Sequence, residues 1–304
     1  MSWFETCDSN HERLYGKRGW ILAQAGLSDA DYISDRVKAG DQDRYWAALL
    51  APEAVRGDLL ALYAFHLEIA QIPEQVSEAQ LGEIRLEWWR EALNTALAGG
   101  GGDHPVLKPL AAAAAAHGLS PTLLEGMIGA RSFDLAREPM PDYAALRRYL
   151  LATAGALFRL GAQITNAPRE ALDASEHAAI AYGLTGLMRA LPYHAAEGRI
   201  YLPAELLAKH GLHPQIVLDG EDNQDLRAAL RDLRSQAFEA LDAARQGLRA
   251  VPARALAPFL PLALVTPYLK ALSAPGHHPL RDIAQLNPLI RYGLIWRAHL
   301  RGRV

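Results

Sequence analysis

The stretch Glu53-Ala54-Val55-Arg56-Gly57-Asp58-Leu59-Leu60-Ala61-Leu62-Tyr63-Ala64-Phe65-His66-Leu67-Glu68-Ile69-Ala70-Gln71-Ile72 decides the fold. Pro52 stands just before it, where a fixed φ and a missing N–H suit the start of a helix. Leu59, Leu62, Tyr63, Phe65 and Ile69 then recur at helical spacing as a broad apolar stripe. Asp142 to Thr165 is apolar on several sides, through Leu146, Tyr149, Leu150, Ala154, Leu157 and Leu160, as the central helix of a bundle should be. Ala171 to Leu191 is a second such helix, ended by Pro192.

Around these, the chain reads as almost entirely helical. Alanine, leucine and arginine dominate, and the β-branched runs that mark buried strands are absent. Ser28-Asp29-Ala30-Asp31 can cap a short helix, and Asp41 to Ala51 carries Tyr45, Ala48 and Leu49 at i, i+3 and i+4. Ser77 to Leu97 opens on Ser77-Glu78-Ala79-Gln80, which fits a capping box, with Leu81, Ile84, Trp88 and Leu93 predicted as its buried face. Of the adjacent pair Trp88-Trp89, one ring is expected in the core and the other partly outside. Gly99 to Gly102, then Asp103-His104-Pro105, stops that helix; with no Lys-Ser/Thr after it, the glycine run is a terminator and not a phosphate cradle. Helices are predicted from Val106 to His117, from Pro121 to about Ala136, and over the short span Ala204 to His210. Asp225 to Ala250, dense in Arg, Asp and Glu, is expected to pack outside the core. Pro252 to Val304 reads as two helices broken at Pro275-Gly276-His277-His278-Pro279, whose histidine pair is a loop feature.

Composition narrows the function classes. The chain has 304 residues, 50% hydrophobic and 21% charged, enough to bury a large core. A single helical domain is predicted over residues 41–304, with 1–40 as an N-terminal extension holding a short helix. Lys+Arg 31 against Asp+Glu 34 gives a net charge of −3, with the signs interleaved, so no basic face for nucleic acid is expected. Cys7 is the sole cysteine, which excludes an intramolecular disulfide and a cysteine metal site. Met1-Ser2-Trp3-Phe4-Glu5 shows no basic region followed by an apolar run. The most apolar stretch, Ala255 to Leu269, falls short of the ~20 residues of a membrane span and contains Pro258, Pro261 and Pro267. A cytoplasmic bacterial protein is expected ahead of one in the mitochondrial matrix, with peripheral membrane contact left open.

Two segments carry a resemblance: Leu62-Tyr63-Ala64-Phe65-His66-Leu67-Glu68-Ile69-Ala70-Gln71-Ile72-Pro73-Glu74, and Gly183 to His194 continuing into Gly198-Arg199-Ile200-Tyr201-Leu202-Pro203. Together they resemble the two signature helices of the squalene/phytoene synthase family, and the likeness runs from about Asp41 to the C-terminus. It implies an all-α, single-domain isoprenoid-synthase-like bundle with a central cavity, Glu53–Ile72 and Ala171–Leu191 facing each other across it. In that family each facing helix carries an aspartate-rich motif that holds Mg²⁺ against substrate diphosphates. Ionising an allylic diphosphate requires such hard ligands, because the leaving group is highly charged.

This sequence departs from the pattern at those positions. Aligned on Tyr63-Ala64-Phe65, the first motif's aspartates fall on Ala70, Gln71 and Glu74, and its arginine falls on Leu67. Aligned back from Gly198-Arg199-Ile200-Tyr201-Leu202-Pro203, the second motif's acidic positions fall on Ala190, Tyr193 and His194, while Leu184, Thr185 and Arg189 match. Ile69-Ala70-Gln71 and Arg189-Ala190-Leu191-Pro192-Tyr193-His194 look like a non-catalytic branch of the family that includes a mitochondrial complex I assembly factor and bacterial relatives, in which Leu-Ala-Gln and Arg-Ala-x-Pro-Tyr-His forms replace the aspartate motifs. The resemblance implies binding without catalysis and a role in building respiratory complex I, whose subunits or assembly intermediates become candidate partners. A Mg²⁺-dependent prenyltransferase joining two prenyl diphosphates is the competing reading, and only that reading calls for a cofactor. A rebuilt site from Glu68, Glu74 and His194 would suit a transition metal better than Mg²⁺.

The candidate cleft residues are Tyr63, Phe65, Glu68, Gln71 and Glu74 on one side and Arg189, Tyr193, His194, Arg199 and Tyr201 on the other. They are predicted to form a polar rim over an apolar cavity, taking the head group of an isoprenoid or lipid, or a partner segment. The plainer reading is that Arg189 pairs with Glu68 and fills space.

Overall fold

The computed structural model describes residues 28–100 and 104–304, all of it helix, turn and loop. Cys7, the first five residues and Gly101 to Asp103 lie outside the described residues. Helix α1 (Asp29–Gly40) opens on a capping box, in which Ser28 Oγ accepts the Asp31 N–H at 3.2 Å and the Asp31 carboxylate accepts the Ser28 N–H at 3.3 Å. Asp41 caps α2 (Gln42–Leu49), and α3 (Glu53–Ala70) follows Pro52. Then come α4 (Ala79–Leu97), α5 (Leu107–His117) and α6 (Pro121–Gly129). Next are α7 (Tyr143–Leu150) and α8 (Ala156–Ile164), joined by a π turn, Leu151–Gly155. The chain continues through α9 (Arg169–Arg189), α10 (Gln224–Gly247), α11 (Val265–Leu272) and α12 (Pro288–Arg301). No helix among the described residues is long and apolar enough to cross a membrane.

Helix α8 is the wall between two apolar clusters. Its Leu157, Leu160 and Ile164 pack with Leu59, Leu62, Phe65 and Ile69 of α3. Its Phe158 and Ala162 pack with Ala171, Ala174, Ala178 and Leu184 of α9. Each fully buried Leu or Phe contributes about 1.5–3 kcal/mol relative to exposure. The two signature helices α3 and α9 are thus held by a shared neighbour, and between them lies the Arg44 guanidinium, 5.9 Å from the Tyr63 ring and 4.7 Å from that of Tyr182.

Two expectations about packing are corrected. Helix α10 is part of the core, because its Leu226, Ala229, Leu230, Leu233, Ala237, Leu241 and Ala244 are buried along α9. The approach is close: a Cβ on Gly247 would come within 2.9 Å of Ala174 Cβ. On α4 the buried side is Gly82, Leu86, Trp89, Leu93 and Ala96, whereas Leu81, Ile84 and Trp88 are exposed. The predicted Ser77 box is also absent; Glu78 is the N-cap and makes no side-chain cap bond.

Candidate functional site

Both signature helices stop in the same way. After Ala70 and after Arg189 the chain begins one new short helix, Ile72–Gln75 or Leu191–Ala196, with Pro73 or Pro192 in its first turn. Proline cannot continue the preceding hydrogen-bond ladder but suits a helix start. These two short helices carry Glu74 and Tyr193, which face each other across the gap. Burial, and then the Glu74 charge, hold the Tyr193 phenol above its ordinary range. Beside them Arg199 donates from Nη2 to the Pro73 carbonyl at 3.1 Å. The ends of the two helices are therefore tied through Arg199, side chain to backbone, with Glu74 and Tyr193 facing each other beside it.

Beneath that tie lies a buried polar network. The His194 and Tyr201 rings are 4.5 Å apart, and Tyr201 donates to Asp134 Oδ1 at 2.6 Å. Asp134 also accepts from Tyr149 at 2.8 Å and, through Oδ2, from Arg131 at 2.9 Å. Arg131 reaches His66 Nδ1 at 3.4 Å. Burial, then Arg199, pushes His194 down to about 3, and burial, then Arg131, lowers His66, so both imidazoles are neutral at pH 7. Burial first, and Asp134 next, raise the Tyr149 and Tyr201 phenols.

The ten predicted cleft residues divide into groups. Glu74, Tyr193 and Arg199 come together at the tie, and His194 and Tyr201 lie under it. Glu68 and Gln71 turn toward α1, where Arg36 donates to both at 2.6 Å and Tyr32 donates to Glu68 at 3.1 Å. Tyr63 lies beside Arg44, and Phe65 packs edge-on to Trp89 at 5.8 Å. Arg189 faces the C-terminal part of the chain, donating to the Ala284 carbonyl at 3.1 Å with its guanidinium 3.5 Å over the Tyr268 ring. The suggested Arg189–Glu68 pair is not formed, since Glu68 is taken by Arg36.

Among the described residues no group of three His, Cys, Asp or Glu could hold a metal. A cavity of about 460 Å³ is lined by residues such as Ala130, Phe133, Met140, Arg148, Tyr149 and Ala152, and none of the ten predicted cleft residues borders it. The residues that sequence reading missed are Arg131, Asp134, Tyr149 and His66. The available signal was Arg131 and Asp134 at i, i+3 in an otherwise apolar stretch.

Residues 37–301 match the squalene/phytoene synthase family model, and the chain belongs to that family. It is 29% identical over 278 residues to the NADH dehydrogenase (ubiquinone) complex I, assembly factor 6 of Bos taurus, covering 90% of this chain and 84% of that protein. Among solved structures it superposes on a dehydrosqualene synthase with a TM-score of 0.76 at 16% identity, covering 93% of this chain and 99% of the other. A squalene synthase of Alicyclobacillus acidocaldarius gives 0.69 at 18% identity, covering 90% and 94%. At those identities the structures speak for the fold alone.

Proposed function

We propose that this family member works by binding and not by turnover, in the assembly of respiratory complex I. The observation that carries the reading is the tie between the helix ends. At the positions where the resemblance puts carboxylates for Mg²⁺ stand Ala70, Gln71, Ala190, Tyr193 and His194. The one remaining carboxylate, Glu74, faces the Tyr193 phenol. An alanine offers no ligand, His194 is a buried neutral imidazole, and Mg²⁺ gives up its water only to hard oxygen donors. This donor set does not fit a Mg²⁺-diphosphate cluster. The similarity to complex I assembly factor 6 over most of both chains supports the choice of process. The tied rim of Glu74, Tyr193 and Arg199 is the surface on which a partner segment or a lipid head group would be read.

Two measurements test this. Purified protein incubated with Mg²⁺ and farnesyl or geranylgeranyl diphosphate should release no diphosphate above background; Mg²⁺-dependent turnover would overturn the reading. A strain lacking the gene should lose assembled complex I and regain it with the wild-type chain. If complex I is assembled normally without the gene, the assignment to that process fails.

A further inference from the structure

Helix α12 is apolar on the wrong side. Its packed face is made by Arg291, Ile295 and Ala298 against α2 and the segment Ala257–Leu264. Arg291 anchors it through Asp43 Oδ1, at 2.9 Å from Nε and 2.8 Å from Nη2. On a helix already packed along one stripe, the opposite stripe should be polar. At 100° per residue that opposite stripe is Leu289, Gly293, Trp296 and Leu300, with Tyr292 at its edge. Leu289 is 81% exposed and Leu300 63%, and Ile290, Tyr292 and Trp296 are exposed too.

The side-chain charges beside this stripe have one sign. From Ile283 to Val304 the sequence has no Asp or Glu, while Arg297, Arg301 and Arg303 are exposed and Arg254 lies exposed in the neighbouring turn that Gly302 approaches. Among the described residues no carboxylate pairs with any of these four arginines. The other exposed apolar stripe, Leu81, Ile84 and Trp88 on α4, differs in this respect. It alternates with Glu83, Glu87 and Glu91 as well as Arg85 and Arg90, and an anionic surface would repel it.

We propose that α12 docks the protein on an anionic lipid surface, with Leu289, Trp296 and Leu300 inserted at the headgroup level and Arg297, Arg301 and Arg303 on lipid phosphates. An amphipathic helix lying in the interface needs an apolar face, an aromatic ring at the boundary and flanking cations, and α12 supplies all three. The Asp43–Arg291 pair holds the helix rigidly to the body, so docking orients the whole molecule and leaves the tied rim of Glu74 and Tyr193 on a different element.

The test is flotation of the full-length protein with vesicles of phosphatidylcholine alone or with phosphatidylglycerol, at low and high salt. The expected result is binding to the anionic vesicles that weakens with salt. Replacing Leu289→Ser with Leu300→Ser should abolish flotation with the melting temperature unchanged. Replacing Arg297→Gln with Arg301→Gln should weaken it on the order of tenfold or more, given the attraction of each cation to an anionic leaflet. Trp296→Phe should remove the fluorescence change that anionic vesicles cause. Failure of the wild-type chain to float, or flotation untouched by the leucine pair, overturns the proposal. Sedimentation showing a dimer that the leucine pair abolishes, without vesicle binding, would assign the face to a second copy of this chain instead.

Discussion

Two buried polar clusters hold charge in this core, and they do so by different means. Around Asp134 a single carboxylate collects Arg131, Tyr149 and Tyr201, so one anion balances one cation and its oxygens are occupied by donors. Under α2, among the described residues, three arginines, Arg44, Arg189 and Arg291, meet two carboxylates, Asp41 and Asp43. There ring faces also meet the cations: Arg189 over Tyr268 at 3.5 Å, Arg44 over Tyr182 at 4.7 Å and Arg291 over Trp46 at 5.5 Å. Burial raises Asp43 and lowers Arg189, the mark of charges held against a desolvation cost. A carboxylate hub fixes geometry through directed bonds, whereas aromatic faces tolerate position and stabilise less per contact.

That contrast can be broken by mutation. Asp134→Asn leaves Arg131 buried without its counter-charge and should cost about 3–5 kcal/mol in denaturant unfolding. A loss below about 1 kcal/mol, the worth of an ordinary hydrogen bond, would mean the hub is no hub. At the other cluster Tyr268→Leu should cost about 2 kcal/mol through the lost ring face, and Tyr268→Phe, which keeps the face, much less. Equal losses in the two variants would refute the cation–π account.

The pH dependence separates the clusters further. Folded His194 refuses a proton until about pH 3, whereas the unfolded chain takes one near 6.5. Between those values the unfolded state binds more protons, so the contribution is complete above about pH 6.5 and is lost toward pH 3, at up to about 1.4 kcal/mol per unit. His66, lowered in the same direction, adds to the slope. His194→Gln should flatten the acid limb of a stability curve measured from pH 7 to 4, and an unchanged limb would place the titration elsewhere. The smallest effect belongs to the tie: Tyr193→Phe removes the half-buried hydroxyl that faces Glu74 and should cost about 0.5–1 kcal/mol, read as a small shift in melting temperature.

The fold was legible because prolines, glycines and caps punctuate nearly every helix, from Ser28 to the breaks at Pro73 and Pro192. What periodicity could not say is which stripe faces inward. On α4, Leu81, Ile84 and Trp88 keep helical spacing, and so do Gly82, Leu86, Trp89 and Leu93; only the neighbours decide between them. On α10 the dense charges hid a stripe built mostly of alanine and leucine, whose small members let α9 come close. At the candidate site the placement of Glu74 opposite Tyr193 came from the resemblance to the family, and the two prolines marked only where the helices end. The Asp134 hub could not be read from the sequence, because Arg131, Tyr149 and Tyr201 converge on it from three separate parts of the chain.

The π turn at Leu151–Gly155 links the two clusters along one rod. Tyr149, just before it, serves Asp134; Phe158, just after it, lies 6.0 Å below the Arg44 guanidinium. A π turn is an α-helix carrying one additional residue, and one residue amounts to about 100° of rotation. Wound as a plain α-helix with the same residues, the rod would swing Phe158 and Leu157 about a quarter-turn out of phase with Tyr149; the wider turn absorbs the additional residue and keeps them in phase. The widened turn acts as an angular spacer, and its irregularity is what allows a single helix to serve both clusters.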